Sequence, residues 1–130
     1  MRRAIWLAPR LENLSVLERF IARCDFLDST IRDKATLVST EFFDNIVMHS
    51  RPCTSCRVYL SVTRSDATRI VIRYSTRNFD EMLRGTKSAH PHYDALSDRY
   101  RGLGLVMCRN LSQSIEYKKG LLRSTIVIIL

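Results

Sequence analysis

Glu41 and Asn45 stand four residues apart in the segment Glu41-Phe42-Phe43-Asp44-Asn45, whose apolar spacing is helical. Their side chains therefore project one turn apart from one face. A carboxylate placed there can take a proton from an attacking hydroxyl, and an amide oxygen one turn away can hold a Mg²⁺ that also binds phosphate oxygens. Spacing alone does not decide this, because Glu-x-x-x-Asn is common on solvated helices. A second constellation, Arg101-Gly102-Leu103-Gly104-Leu105, marks the passage from an aperiodic segment into a helix. Glycines there let the backbone approach a ligand closely, and the unpaired N–H groups of a helix start attract an anion such as phosphate. Arg99 and Arg101 add charge at the same place. A lone Gly-x-Gly at a helix entry can equally be structural.

The elements that must position these groups are readable from periodicity. Ile5, Trp6 and Leu7 form a first strand closed by Pro9. Asn13 or Ser15 then caps a helix whose apolar residues, Leu14, Leu17, Phe20, Ile21, Cys24 and Leu27, recur three or four apart to an end near Asp28. Ser29 or Thr30 caps a second helix with the stripe Ile31, Ala35, Val38, Phe42, Ile46 and His49, terminated by Pro52. Arg57 to Thr63 and Thr68 to Tyr74 are β-prone and meet in a hairpin around Ser65-Asp66. From Ser75 to Arg101 no period is sustained, and the segment reads as a long loop of the kind that serves as a lid or is disordered. A helix over Leu103 to Leu111 follows, then strands around Ser114 to Tyr117 and Arg123 to Leu130, with Gly120 at their turn. The predicted fold is a single α/β domain over 1–130. It is a two-layer sandwich of a mixed, mostly antiparallel sheet with about three helices on one face.

A chain of 130 residues that is 45% hydrophobic can build one core without disulfides. It holds no apolar run approaching the roughly 20 residues that cross a bilayer. Pro9 and Arg10 interrupt the basic start before a signal-peptide apolar region forms, so a cytoplasmic protein with reduced thiols is expected. Lys plus Arg number 21 against 13 acids, a formal charge of +8, which favours acidic partners: a nucleotide, a nucleic acid or an acidic protein. The basic residues are scattered along the sequence, with no evident reading helix or aromatic sheet motif, and nucleic acid is the lesser of the three. Cys53-Thr54-Ser55-Cys56 has half-zinc-site spacing that His90 and His92 could complete, although two unlinked thiols are the plainer reading. Cys24 and Cys108 lie on apolar faces and read as core, and His49 as a helix-end residue.

Taken in order, Glu41-x-x-x-Asn45 followed by His49 resembles the asparagine box of GHKL ATP-binding domains, and Arg101-Gly102-Leu103-Gly104-Leu105 resembles their second glycine box. The small bacterial anti-sigma-factor serine kinases place the boxes at similar separations and finish on a strand like Ser124-Thr125-Ile126-Val127-Ile128. The resemblance covers nearly the whole chain. It implies the Bergerat ATP-binding fold, with Glu41 as general base, Asn45 as ligand of Mg²⁺, and Arg101, Gly102, Leu103 and Gly104 at the phosphates. A lid would run from Asn78 to Tyr100, and Thr125 would stand near the adenine. It further implies a serine acceptor on a STAS-type anti-anti-sigma partner, a sigma factor as the other partner, and homodimerisation. The chain departs from the family at the first glycine box, Asp-x-Gly-x-Gly. The segment in register is Tyr74-Ser75-Thr76-Arg77-Asn78-Phe79-Asp80. That aspartate accepts a hydrogen bond from the adenine amino group in the family, and here Tyr74 takes its place. Two readings follow: a regulator that transfers phosphate from Mg-ATP to serine, and a relative that keeps the fold and partner surface without nucleotide.

Overall fold

β-Branched and apolar residues dominate Val58–Arg64 (β2) and Thr68–Tyr74 (β3), and the two strands pair as the expected hairpin, Leu60 opposite Ile72 and Val62 opposite Ile70. The computed structural model describes residues 1–50, 57–87, 92–94, 99–101 and 103–130. Around the hairpin lie β1 (Arg2–Leu7), a short 3₁₀ turn (Leu11–Asn13), α1 (Leu14–Ala22), α2 (Ser29–His49), α3 (Phe79–Lys87), β4 (His92–Asp94), β5 (Arg99–Arg101), α4 (Leu103–Leu111), β6 (Ser114–Lys118) and β7 (Ser124–Ile129). Five strands form one sheet in the order β1-β2-β3-β7-β6, and β4 and β5 form a separate pair.

Every pairing in the five-stranded sheet is antiparallel, so the sheet is not mixed. Alternate residues point to the helices: Leu7 on β1, Val58, Leu60 and Val62 on β2, Ile70, Ile72 and Tyr74 on β3, Ile126 and Ile128 on β7. Against them pack Leu17 and Ile21 of α1 and Ala35, Val38, Phe42 and Ile46 of α2, all buried. Each fully buried side chain of this size contributes roughly 1.5–3 kcal/mol, which sets the sheet's register firmly. The opposite face of the sheet carries Arg2, Trp6, Arg69, Arg73, Glu116 and Lys118, all exposed.

Local chemistry sets the element ends. Asp28 caps α2, its Oδ1 accepting the Ile31 N–H at 2.9 Å, one or two residues before the expected cap at Ser29 or Thr30. α1 ends at Ala22, earlier than its apolar stripe; Cys24 and Leu27 stay buried in the following turns. Gly120 turns the chain between β6 and β7, where a β-carbon would collide with the Arg123 carbonyl.

The largest departure is in the expected long loop, which holds α3, β4 and β5. α3 buries Phe79 and Met82 and begins with Asp80 and Glu81, which suit the positive end of a helix. Nine residues interrupted by Gly85 give too few repeats for periodicity to register.

Candidate functional site

α2 and α4 pack so that the Glu41 carboxylate rests on Gly104, the second residue of α4. A β-carbon there would collide with Glu41 Oε2 and Cδ and would stand 3.1 Å from Oε1. Burial raises the Glu41 pKa above the ordinary carboxylate range, and the neighbouring charge of Asp44 raises it further. Asn45 follows one turn along α2, half-buried, its amide making no hydrogen bond among the described residues. The N–H groups of the first turn of α4 have no intrahelical partner, so a carboxylate, an amide and an anion-attracting helix start occur together. Arg101 is the last residue of β5 and Leu103 the first of α4; Gly102 lies outside the described residues. So do Cys53, Cys56 and His90, while His92 opens β4.

The end of β3 bounds the same cleft. Tyr74 is 3% exposed, pairs with Ser124 of β7, and has its pKa pushed up to about 12 by burial. Half-buried Tyr117 of β6 lies alongside, its pKa raised by burial and by the nearness of Cys108 and Tyr74, with its ring 6.3 Å from that of Phe42. Cys108 of α4 is buried, and burial followed by the Glu41 charge pushes its thiol up to about 12. Glu41, Cys108, Tyr117 and Tyr74 are therefore near enough to feel one another's charge in turn, Cys108 and Tyr74 buried and the other two half-buried. The cavity left beside Tyr74, also lined by Ile46, Ser50 and Val58, measures about 50 Å³. None of Glu41, Asn45, Cys108 or Tyr117 lies on its wall.

The residues after Tyr74 are braced. Thr76 Oγ1 donates to Asn78 Oδ1 at 2.6 Å, and Asn78 Nδ2 donates to the His49 carbonyl at 2.8 Å, joining this segment to the end of α2. Thr125 does not face the cleft: it pairs with Arg73 and Lys118 on the helix-free side, whereas Ser124 is buried beside Tyr74. Sequence reasoning missed Ser124, Tyr117 and Cys108 as cleft residues. For β7 the cause is that Ser124-Thr125-Ile126-Val127-Ile128-Ile129 is too uniformly apolar to show which alternate set faces in.

Residues 7–130 match the sequence profile of the histidine kinase-like ATPase domain. The chain belongs to that family. This histidine kinase-like ATPase domain also superposes on a solved structure, the RsbU and RsbW domains of Rv1364c from Mycobacterium tuberculosis, with a TM-score of 0.68 over 99% of the chain at 11% identity. Identity that low establishes a shared fold alone, and this ATPase-like domain spans 31% of that protein's chain. No curated protein matches it by sequence.

ATP is the nucleotide that such a domain suggests, and the two ends of the cleft answer differently to it. At the α2–α4 end the uncommitted Asn45 amide, Glu41 and the start of α4 suit a metal-bound phosphate chain. At the β3 end the buried Tyr74 stands opposite Ser124 of β7 and offers no carboxylate.

Proposed function

We propose that this histidine kinase-like ATPase domain is a cytoplasmic regulator of the anti-sigma-factor type, binding a sigma factor or a STAS-domain anti-anti-sigma protein. The observation that carries this reading is the seat of the Glu41 carboxylate on Gly104 at the start of α4. Glu41 is held at a helix start suited to phosphate, and its raised pKa suits a group that accepts a proton from a serine hydroxyl. Asn45, one turn on, would hold Mg²⁺, and Arg101, Gly102, Leu103 and Gly104 would line the phosphate end. Bound Mg-ATP would supply the phosphoryl group. Glu41 would orient the acceptor hydroxyl and take its proton, while the packing of α2 on α4 holds the carboxylate half-buried.

A second reading, partner binding without nucleotide, is favoured by the burial of Tyr74 and by the Asn78–His49 bond that closes the β3 end. One experiment separates the two. An ATP analogue with Mg²⁺ is titrated calorimetrically into wild type, Asn45→Ala and Tyr74→Asp, beside capture of STAS-domain proteins with and without ATP. Binding by wild type that Asn45→Ala abolishes supports the kinase-type site. Absence of binding in wild type, with binding gained by Tyr74→Asp and capture indifferent to ATP, supports the nucleotide-free regulator. Wild type that binds nucleotide and captures no STAS or sigma partner overturns the regulatory reading.

A further inference from the structure

β1 is an outer strand of the sheet, hydrogen-bonded to β2 on one side, and its other edge offers a row of peptide N–H and C=O groups. Arginines flank this edge on both faces. On the helix side Arg3 of β1 and Arg19 and Arg23 at the end of α1 surround an open cleft of about 370 Å³, with Ile5, Val16 and Phe20 as its apolar wall. None of these three arginine side chains has an ion-pair or hydrogen-bond partner among the described residues. On the other face Arg2 and Trp6 alternate with them along β1; Trp6 is 47% exposed, and the Arg123 guanidinium lies 4.7 Å above its ring. Arginines that look scattered in the sequence therefore converge on one strand.

We propose that the β1 edge is a docking site for an extended acidic segment of a partner protein, which adds to the sheet as a further strand. Main-chain hydrogen bonds to an edge supply affinity without sequence preference, and alternate side chains of the added strand supply specificity. One alternate set enters the Arg3, Arg19, Arg23 cleft, where a carboxylate meets guanidinium and its methylenes meet Ile5, Val16 and Phe20. The other set lies beside Arg2 and Trp6. A second copy of the chain is a poor occupant, since its β1, Arg-Arg-Ala-Ile-Trp-Leu, brings no carboxylate to the Arg3, Arg19, Arg23 cleft. A nucleic acid meets the charge but has no peptide groups to pair with the edge. Charged edge strands also serve simply to repel other strands, and the experiment must tell a guard from a receptor. The proposal does not depend on nucleotide binding.

The probe is a short synthetic peptide alternating Glu with Val, titrated into the full chain at low salt. Binding is followed by calorimetry, by the fluorescence of Trp6, the sole tryptophan, and by hydrogen exchange of the β1 amides. The expected result is saturable binding with a changed Trp6 signal and slowed β1 exchange. Affinity should fall at least about tenfold in Arg19→Ala/Arg23→Ala. It should fall similarly when alternate peptide nitrogens are methylated, a control that needs no protein variant. Equal binding of the methylated peptide shows charge attraction without strand addition and overturns the proposal. So does failure of the peptide to bind, which leaves the arginines as a guard. Tighter binding of a single-stranded oligonucleotide that displaces the peptide overturns it in favour of a phosphate-reading surface.

Discussion

The carboxylate of Glu41 occupies the place that the β-carbon of any residue other than glycine would take at position 104. The colliding atoms are the far end of a flexible side chain, so Gly104→Ala displaces Glu41 without breaking the fold. Replacing a helical glycine gains roughly 1 kcal/mol of helix propensity, and the stability of Gly104→Ala in urea should match or slightly exceed that of wild type. The Glu41 titration, followed by NMR, should move back toward an ordinary carboxylate as the group turns to water. A large loss of stability would show that Glu41 cannot leave its seat.

Glu41 also ties stability to pH. Its folded-state pKa is raised, so the native protein holds the proton at pH values where the unfolded chain has released it. Its contribution is complete below the unfolded carboxylate pKa and is lost as pH rises through the folded value. Glu41→Gln, which cannot ionise, should therefore be more stable than wild type at neutral pH and nearly equal to it in acid. Urea denaturation across that range measures the difference, and parallel curves would refute the burial effect.

Asp28 offers a test of the scaffold apart from the cleft. Its carboxylate accepts the Ile31 N–H at the start of the helix that carries Glu41 and Asn45. Asp28→Ala should cost about 1 kcal/mol, and Asp28→Ser should restore most of it. Chemical denaturation with an unchanged m-value checks this.

Cys108, with its thiol pushed up to about 12 and its side chain fully buried, should stay unmodified by iodoacetamide at pH 8 for as long as the fold holds. Buried Cys24, raised by burial, should behave alike. Peptide mapping by mass spectrometry should find both labelled only at the rate of unfolding. Rapid labelling of Cys108 in folded protein would mean that α4 opens locally.

The parts of this fold that were legible in the sequence are those whose signal repeats. α2 shows its stripe over five turns from Ile31 to His49, β2 and β3 alternate around a polar turn, and α4 keeps the expected boundaries, with Gly104 in its first turn. The Glu41–Asn45 pair was legible because helical spacing fixes which residues share a face. What escaped depends on contacts between elements distant in sequence. The seat of Glu41 on Gly104 joins positions on two helices, the union of Tyr74, Tyr117 and Cys108 joins two strands and a helix, and the convergence of Arg3 with Arg19 and Arg23 needs β1 to lie beside α1. α3 escaped for brevity, and the inward face of β7 because its apolar run has no alternation to read.

β7 comes last in the sheet's sequence order and yet sits inside it, between β3 and β6. Among the described residues β6 is paired with β7 and no other strand, so until β7 arrives the β3 side of the sheet is open at one edge and β6 has nothing to join. Pairing β3 with β7 closes a loop of some fifty residues, the kind of non-local contact that slows folding and leaves an open strand edge during the wait. The pairing of β1 with β2 spans as many residues, so the maturation of this domain waits on two distant strand pairings, one at each side of its central hairpin.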